Sequence, residues 1–289
     1  MMDNPEFHSK NQPPLDQEFT KNRFKDKVVV ITGGASGIGF AVAERFANDG
    51  AVVAIADMDR TNGAKAVERI KAEGHDSVKF YFVNVADKSS CTKAVEEVTG
   101  DNDGVIHCLV NSAAFFGSSG LNSEPADWRK SCDVNIMGAA SMVQACHPYL
   151  VKANGAAIVN LASASALRAQ PERWTYSATK GAIITMTKNM ALDLGKDQIR
   201  VNSISPAWVW SPVQAKASVD GSQESMPAVA DFSIKRRAAN TSEIAAVTVF
   251  LCSRDATYMT GTNVIVDGGY CAIGPERLGD QSLFAGEKS

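Results

Sequence analysis

Several features that would point to specialised partners are missing from this chain of 289 residues. The formal net charge is −3, so the chain lacks the basic excess that nucleic-acid-binding proteins usually carry. No apolar run approaches the roughly 18 residues that a membrane-spanning helix needs. We therefore expect neither nucleic acid nor a membrane to be the main partner.

Histidine and cysteine are sparse and scattered along the chain. None of the six cysteines lies at a CxxC spacing, so the sequence contains no zinc or thioredoxin-like motif. Most cysteines stand among apolar residues, which is typical of small buried side chains in a reducing compartment. The four histidines form no cluster either. We expect no metal site and no catalytic triad built on histidine.

The two ends of the chain carry no recognisable targeting signal. Residues 1–24 are polar and contain three prolines, unlike a secretory signal peptide. The last four residues match neither a peroxisomal nor an endoplasmic-reticulum retention signal. We expect a polar N-terminal tail at 1–24, one folded domain at 25–270, a C-terminal tail at 271–289 and a cytoplasmic location.

Apolar, β-branched runs alternate with helix-like segments along most of the chain. The first run, 28–31, is continuously apolar, as expected of a strand that is buried on both faces. Six more predicted strands lie at 51–56, 78–83, 107–110, 156–161, 200–204 and 263–266. The predicted helices lie at 38–48, 62–73, 89–99, 127–151, 176–194 and 242–252.

This alternation predicts the fold class, a single α/β domain with a doubly wound parallel sheet of about seven strands, the Rossmann fold. Residues 211–240 fall outside the alternation and contain little strand signal. A loop of that length in a compact domain is usually functional. We therefore predict a substrate loop or lid at 211–240.

A glycine-rich turn follows the first predicted strand and precedes a predicted helix. Gly33 permits a tight turn, Gly37 lets the backbone approach a pyrophosphate, and Gly39 allows close packing of helix and strand. The N–H groups at the helix N-terminus favour bound phosphate. Asp57 ends the second strand, where its carboxylate can accept hydrogen bonds from ribose hydroxyls or cap a turn. The pattern predicts a dinucleotide-binding site.

Three further side chains point to proton transfer. Tyr176 and Lys180 are four residues apart at the start of a predicted helix and share one face. Ser163 follows a predicted strand, at the edge of the sheet where open α/β proteins bind ligands. A tyrosine that acts as a base at neutral pH needs its pKa lowered by about three units. One ammonium about 4 Å away supplies about that much at an effective dielectric constant of ~20, so we expect Lys180 to lower the pKa of Tyr176.

Together these motifs resemble those of the short-chain dehydrogenase/reductase family, from about Phe24 to Tyr270. The TGxxxGxG motif at 32–39 matches the family's cofactor motif, and Ser163, Tyr176 and Lys180 match its catalytic motif. The resemblance implies that Asn135 is a fourth catalytic residue, which distorts its helix and holds a water in a proton relay. Besides Tyr176 and Lys180, the cofactor-binding residues that it implies are Gly33, Ser36, Gly37, Ile38, Gly39, Asp57, Asn84, Val85, Asn111, Ala113, Pro206, Val209 and Ser211.

The chain departs from the family pattern at a few positions without losing a catalytic group. Ala114 stands where the family often has glycine, and Asn84 stands where it often has aspartate. Pro206 is followed by Ala207 rather than glycine, and Ser211 replaces a threonine. These changes bear on affinity and rate more than on the type of reaction.

Aromatic and basic side chains flank the predicted catalytic residues. Phe115, Arg168, Arg173 and Trp208 are the candidate substrate-binding residues. The two arginines either hold an anionic group of the substrate or are solvated loop residues. The helix at 127–151 is more apolar than one buried face needs, and in the family this helix and that of Tyr176 form a dimer interface. A homodimer or homotetramer is therefore expected.

The resemblance implies an NAD(H)-dependent oxidoreductase that interconverts a secondary alcohol and its ketone, with Tyr176 as the general acid/base. A sugar, polyol or cyclic alcohol is the favoured substrate. NADP is expected to bind less well than NAD, because its 2′-phosphate would face the Asp57 carboxylate. The alternatives are a 3-oxoacyl-carrier-type reductase of the same family and a catalytically idle, cofactor-sensing partner protein.

Overall fold

The computed structural model describes residues 21–217 and 228–274 of the chain. Seven parallel strands form the central sheet, in the spatial order β3-β2-β1-β4-β5-β6-β9. The described strands are β1 (Val28–Thr32), β2 (Val52–Asp57), β3 (Val78–Phe82), β4 (Cys108–Asn111), β5 (Ala157–Leu161), β6 (Arg200–Pro206), β7 (Val209–Trp210), β8 (Ala239–Asn240) and β9 (Asn263–Val266). The predicted doubly wound parallel sheet is confirmed.

Helices cover both faces of the sheet and enclose two apolar cores. The described α-helices are α1 (Gly37–Asn48), α2 (Arg60–Ala72), α3 (Lys88–Gly100), α4 (Pro125–Cys132), α5 (Gly138–Leu150), α6 (Trp174–Leu194), α7 (Pro212–Ala217), α8 (Ala228–Asp231) and α9 (Thr241–Cys252). Because side chains alternate along a strand, Val29 and Ile31 of β1 pack with α1 and α9. Val28 and Val30 join the opposite core with α3 and α5. No described helix is long and apolar enough to cross a membrane.

The predicted continuous helix at 127–151 is wrong in one place. A wider, π-helical turn at Asp133–Met137 separates α4 from α5. The buried Asn135 lies in this turn, and its side-chain amide bonds to the backbone of Phe115. π-helical turns within helices often occur at functional sites. The distortion agrees with what the family resemblance implied for Asn135.

Residues 211–240 contain more regular structure than the predicted loop. The described part includes the short helices α7 and α8 and the strand β8, while residues 218–227 lie outside the described residues. β8 pairs with β7, which brings Ala239 beside Val209. Strands of two residues are too short to show a period in the sequence, so the pattern could not reveal them. The role of this segment as a lid stays a prediction.

The predicted tails are described only where they meet the domain. Residues 1–20 and 275–289 lie outside the described residues. Phe24, which the sequence placed in the N-terminal tail, is buried and packs edge-to-face on Phe46 with 4.8 Å between ring centroids. Apolar burial therefore extends the ordered domain to at least this residue.

Candidate active site

The turn between β1 and α1 forms an open cradle at the carboxyl edge of the sheet. Gly33 has a φ of +66°, and a Cβ added there would lie 2.8 Å from the backbone of Ala113. A Cβ added at Gly39 would overlap the Gly33 carbonyl oxygen. Gly37 also has a positive φ, but a Cβ added there would have room, because the nearest atom outside its own part of the chain is the Cβ of Ser211 at 3.9 Å. Two glycines thus permit close packing, while Gly37 leaves its surface to a ligand.

The N-terminus of α1 contributes to the same cradle. Ser36 precedes the helix, its side chain makes no capping hydrogen bond, and no acidic residue lies in the first turn. The first N–H groups of a helix have no partner within the helix and carry a partial positive charge. This end of α1 therefore suits a pyrophosphate.

Asp57 is held at the end of β2 by backbone hydrogen bonds. One carboxylate oxygen accepts the N–H of Ala35 at 3.1 Å, and the other accepts that of Asp59 at 3.0 Å. Each carboxylate oxygen can accept a second hydrogen bond, so both stay available to a ligand. The nearby Arg60 guanidinium is stacked on the ring of Phe82, with 4.1 Å to its centroid.

A cleft of about 310 Å³ brings the cradle and the catalytic residues together. The predicted site residues that line it are Gly33, Ser36, Gly37, Ile38, Gly39, Asp57, Asn84, Val85, Ala113, Ser163, Tyr176, Lys180, Pro206, Val209 and Ser211. Glycine backbone, a carboxylate at the end of the second strand and apolar walls are the features that a nicotinamide dinucleotide needs.

Two predicted cofactor-binding residues, Asn111 and Asn84, already make side-chain hydrogen bonds within the protein. Asn111 does not line the cleft, and its amide nitrogen donates to the Asn160 side-chain oxygen at 2.9 Å beneath it. Asn84 lines the cleft, but its side-chain oxygen accepts the N–H of Ala86 at 3.2 Å. One lone pair of that oxygen remains for an adenine amino group.

Ser163, Tyr176 and Lys180 meet at the inner end of the cleft. Tyr176 and Lys180 lie in the first two turns of α6, and Ser163 begins the turn after β5. The Lys180 ammonium donates to the Leu161 carbonyl at 2.5 Å and lies 5.8 Å from the centroid of the Tyr176 ring. All three side chains are buried, as a water-excluding reaction site requires.

Burial controls the ionisation of both titratable groups in this cluster. It raises the pKa of Tyr176 above its ordinary value, against the opposing effects of the Ser163 hydrogen bond and the Arg173 charge. It also lowers the pKa of Lys180 to about 8. In the protein without cofactor, the Lys180 ammonium is bound to a backbone carbonyl rather than to the phenol. The expectation that Lys180, helped by the positive charge of the cofactor, lowers the pKa of Tyr176 stays a prediction.

Asn135 ties the loop after β4 to α6. Its side-chain oxygen accepts the Phe115 N–H at 2.7 Å, and its amide nitrogen donates to the Phe115 carbonyl and to the Thr179 hydroxyl, each at 3.0 Å. A second cavity of about 10 Å³ lies between Asn111, Asn135 and Lys180. That space is comparable to one water molecule. The relay role that the resemblance implies for Asn135 stays a prediction.

A hydrogen-bonded chain that was not predicted from the sequence runs outward from Ser163. The Ser163 and Ser165 hydroxyls lie 3.1 Å apart, and Ser165 donates to the Gln170 side-chain oxygen at 2.7 Å. The Gln170 amide nitrogen lies 3.4 Å from the Tyr270 hydroxyl. The sequence shows that polar residues lie between Ser163 and Tyr176. It does not show which of them bond to each other, because that depends on the folded shape of the segment.

None of the four candidate substrate residues lines the cleft in its described part. The Phe115 ring lies under the Lys130 ammonium at 4.4 Å, and Arg168 donates to the Cys271 carbonyl. Trp208 is half-buried, and Arg173 lies beside Tyr176. Phe116, the next residue after Phe115, lines the cleft instead. Its ring stacks on that of Tyr176 with 5.4 Å between centroids.

No group of three or more His, Cys, Asp or Glu side chains that could hold a metal ion occurs within residues 21–217 and 228–274. The ligand-binding features are instead a glycine cradle at the end of β1, a carboxylate at the end of β2 and a Ser/Tyr/Lys cluster. Together they define a nicotinamide-dependent oxidoreductase of the Rossmann class.

Known proteins share both the sequence and the fold. The family model described as enoyl-(acyl carrier protein) reductase matches residues 33–271. The chain is 36% identical over 252 residues to the meso-2,3-butanediol dehydrogenase of Serratia marcescens, covering 86% of this chain and 96% of that one. It is 33% identical over 257 residues to the trans-4-hydroxycyclohexanecarboxylate dehydrogenase of Sinomonas cyclohexanicum, covering 87% and 95%. The protein belongs to the short-chain dehydrogenase/reductase family.

A solved structure supports the same assignment. The crystal structure of a 3-oxoacyl-[acyl-carrier protein] reductase with bound NAD from Brucella melitensis superposes with a TM-score of 0.80 at 28% sequence identity. The match covers 91% of this chain and 98% of that chain. The neighbour thus shares the fold of this chain over most of its length.

Lys180 gives the protein a pH-dependent stability. Its pKa of about 8 is below that of an unfolded lysine, so folding costs free energy wherever the unfolded side chain is charged. This cost is fully present below about pH 8 and disappears as the pH rises toward the pKa of an unfolded lysine. We therefore expect the free energy of unfolding of Lys180→Met, minus that of the unmodified protein, to fall by about 2.5 kcal/mol between about pH 7 and pH 10. Urea unfolding at both pH values measures the difference, and a constant value would contradict it.

Proposed function

We propose that the protein is an NAD(H)-dependent oxidoreductase that interconverts a secondary alcohol and its ketone. The observation that carries this proposal is the meeting of Ser163, Tyr176 and Lys180 beside the glycine cradle in one cleft. A sugar, polyol or cyclic alcohol is the favoured substrate. The relatives named for meso-2,3-butanediol and trans-4-hydroxycyclohexanecarboxylate support this, because each of those compounds is a secondary alcohol.

The chain's own residues handle the substrate oxygen and its proton. A bound nicotinamide supplies the hydride acceptor for alcohol oxidation or the donor for ketone reduction. Tyr176, as the phenolate, takes the hydroxyl proton while the carbonyl forms, and it returns that proton in the reverse direction. Ser163 hydrogen-bonds to the substrate oxygen and holds it next to the phenol. Lys180 provides positive charge near the phenolate.

A 3-oxoacyl-carrier-type reductase is the second candidate. It is favoured by the description of the matching family model and by the name of the Brucella melitensis neighbour. Both candidates use the same proton transfer. Comparing turnover of free secondary alcohols with turnover of a carrier-bound 3-oxoacyl chain therefore distinguishes them. A catalytically idle partner protein is disfavoured, because Ser163, Tyr176 and Lys180 are all present and adjacent.

Tyr176→Phe tests the proposed base. The change keeps the ring that stacks on Phe116 and removes the hydroxyl, so we expect kcat to fall by a factor of at least ~100, as for other general acid–base groups. Cofactor binding should persist. NADH formation with a panel of secondary alcohols measures turnover. The fully exposed Tyr258, changed to Phe, is the matched control and should leave turnover unchanged. Near-normal turnover by Tyr176→Phe on the best substrate would show that another group is the base.

The choice between NAD and NADP follows from the groups around Asp57. A 2′-phosphate would face this carboxylate, and the neighbouring cleft residues Ser36 and Met58 offer no positive charge. Arg60 is stacked on Phe82. We expect kcat/KM to favour NAD by about a hundredfold, equivalent to about 2.7 kcal/mol. Asp57→Ala combined with Met58→Arg should narrow or reverse this ratio. Equal use of both cofactors by the unmodified protein would mean that Asp57 does not face the ribose.

We also propose a homodimer or homotetramer. Four large apolar side chains are exposed on or beside α4, α5 and α6, namely Trp128, Met137, Val151 and Leu192. Large exposed apolar side chains favour an interface, and two-fold symmetry would let the same side chains of two copies cover each other. The cytoplasmic location expected from the sequence stays a prediction.

Light scattering tests the assembly. We expect a mass of two or four chains at micromolar concentration, and we expect Leu192→Asp to shift the protein toward the monomer. Leu192 is 79% exposed, and the fully exposed Tyr258, which follows α9, is the control outside these helices. Tyr258→Asp should leave the mass unchanged. A monomer mass for the unmodified protein would refute the proposal.

A further inference from the structure

The structure separates the two arginines that the sequence paired as candidates for a substrate anion. Arg168 is exposed and bound to the Cys271 carbonyl. Arg173 is partly buried, directly before the first turn of α6. Its guanidinium carbon lies 5.8 Å from the centroid of the Tyr176 ring. That distance is within the roughly 6 Å over which a cation and an aromatic ring attract.

Four groups from three elements face Tyr176. Lys180 approaches from its own helix, Arg173 from the residue before that helix, Ser163 from the turn after β5, and Phe116 from the loop after β4. The ring centroid is 5.8 Å from each of the two cationic groups. Phe116 adds apolar surface, so it favours the neutral phenol. The ionised form therefore depends on the two cations and on the Ser163 hydroxyl.

The two cations differ in how firmly they hold their charge. Lys180 is buried and bound to the Leu161 carbonyl, and a buried ammonium readily loses its proton. A guanidinium stays protonated at any pH at which the protein is folded. Arg173 thus places a second positive charge beside Tyr176.

We propose that Arg173 is a positioning residue that acts through Tyr176, stabilising its phenolate and making the base available at lower pH. The expected effect of Arg173 on turnover rests on the proposed function. Its expected effect on the pKa of Tyr176 does not. It assigns to Arg173 a role distinct from binding an anionic group of the substrate. The two roles predict different results for a substrate that carries no charge.

The direct test is an ultraviolet titration of tyrosinate in the full-length protein, without substrate. The chain has five tyrosines, and subtraction of the Tyr176→Phe titration isolates the signal of Tyr176. Arg173→Met keeps an apolar stem and removes the charge, so the Tyr176 pKa should rise by about one unit, the low end for a neighbouring opposite charge. Arg173→Lys retains the charge and should restore most of the shift.

Lys188→Gln is the matched control for loss of one positive charge. Lys188 is exposed on the same helix, about 18 Å further along at 1.5 Å per residue, beyond the range of unscreened attraction. We expect this variant to leave the Tyr176 pKa unchanged. An unchanged pKa in Arg173→Met would overturn the proposal, as would an equal rise in Lys188→Gln.

A second measurement follows kcat/KM against pH for an uncharged secondary alcohol and NAD. The phenolate is the active form, so kcat/KM falls as the pH drops through the Tyr176 pKa. Arg173→Met should shift this acid limb to higher pH by about one unit, so that kcat/KM at a fixed pH on the limb falls about tenfold. The plateau of kcat/KM at high pH should stay unchanged. A uniform loss across all pH values would overturn the proposal and point to substrate binding instead. If no alcohol is turned over, the proposed function fails, while the absorbance titration still decides the role of Arg173.

Discussion

Buried polar side chains tie the carboxyl ends of three strands together beneath the cleft. The Thr32 hydroxyl at the end of β1 accepts the N–H groups of Ser112 and Ala113, which follow β4. Asn111, which ends β4, donates to Asn160 of β5 at 2.9 Å. Asn160 in turn donates to Thr187 of α6 at 3.0 Å. Leaving one such buried group without its partner costs about 1–3 kcal/mol, so these strand ends and α6 are held in one arrangement.

The position of every reacting group depends on this arrangement. Thr32 and Ala113 hold the loop after β4 against Gly33, which shapes the cradle. The link from β5 to α6 fixes the distance between the turn of Ser163 and the helix of Tyr176. Geometry of this kind is what proton transfer requires, because the reacting groups must lie within hydrogen-bond reach. Under the proposed function, the network thus connects the phosphate end of the cleft to its catalytic end.

Local patterns in the sequence predicted much of this site, whereas contacts between distant segments did not show in it. The seven strands of the central sheet were recognisable because strands buried on both faces are continuous apolar runs. The glycine turn and the pair Tyr176 and Lys180 were recognisable because fixed spacing sets their geometry. The apolar pattern of 127–151 did not show the π-helical turn at Asp133–Met137, which the family resemblance alone implied, and Asn135 in this turn bonds to Phe115, twenty residues earlier. Similarly, only the folded loop decides that Phe116 rather than Phe115 faces the cleft.

The same burial that shields the reaction from water works against both charges that the reaction uses. It raises the pKa of Tyr176 and lowers that of Lys180 to about 8, so burial in the cofactor-free protein disfavours both the phenolate and the ammonium. The Ser163 hydroxyl and the Arg173 charge oppose this only in part. Under the proposed function, the positive charge of oxidised nicotinamide in the adjoining cleft would supply the missing stabilisation. The base would then become active chiefly when the cofactor is bound, which would couple proton removal to cofactor occupancy.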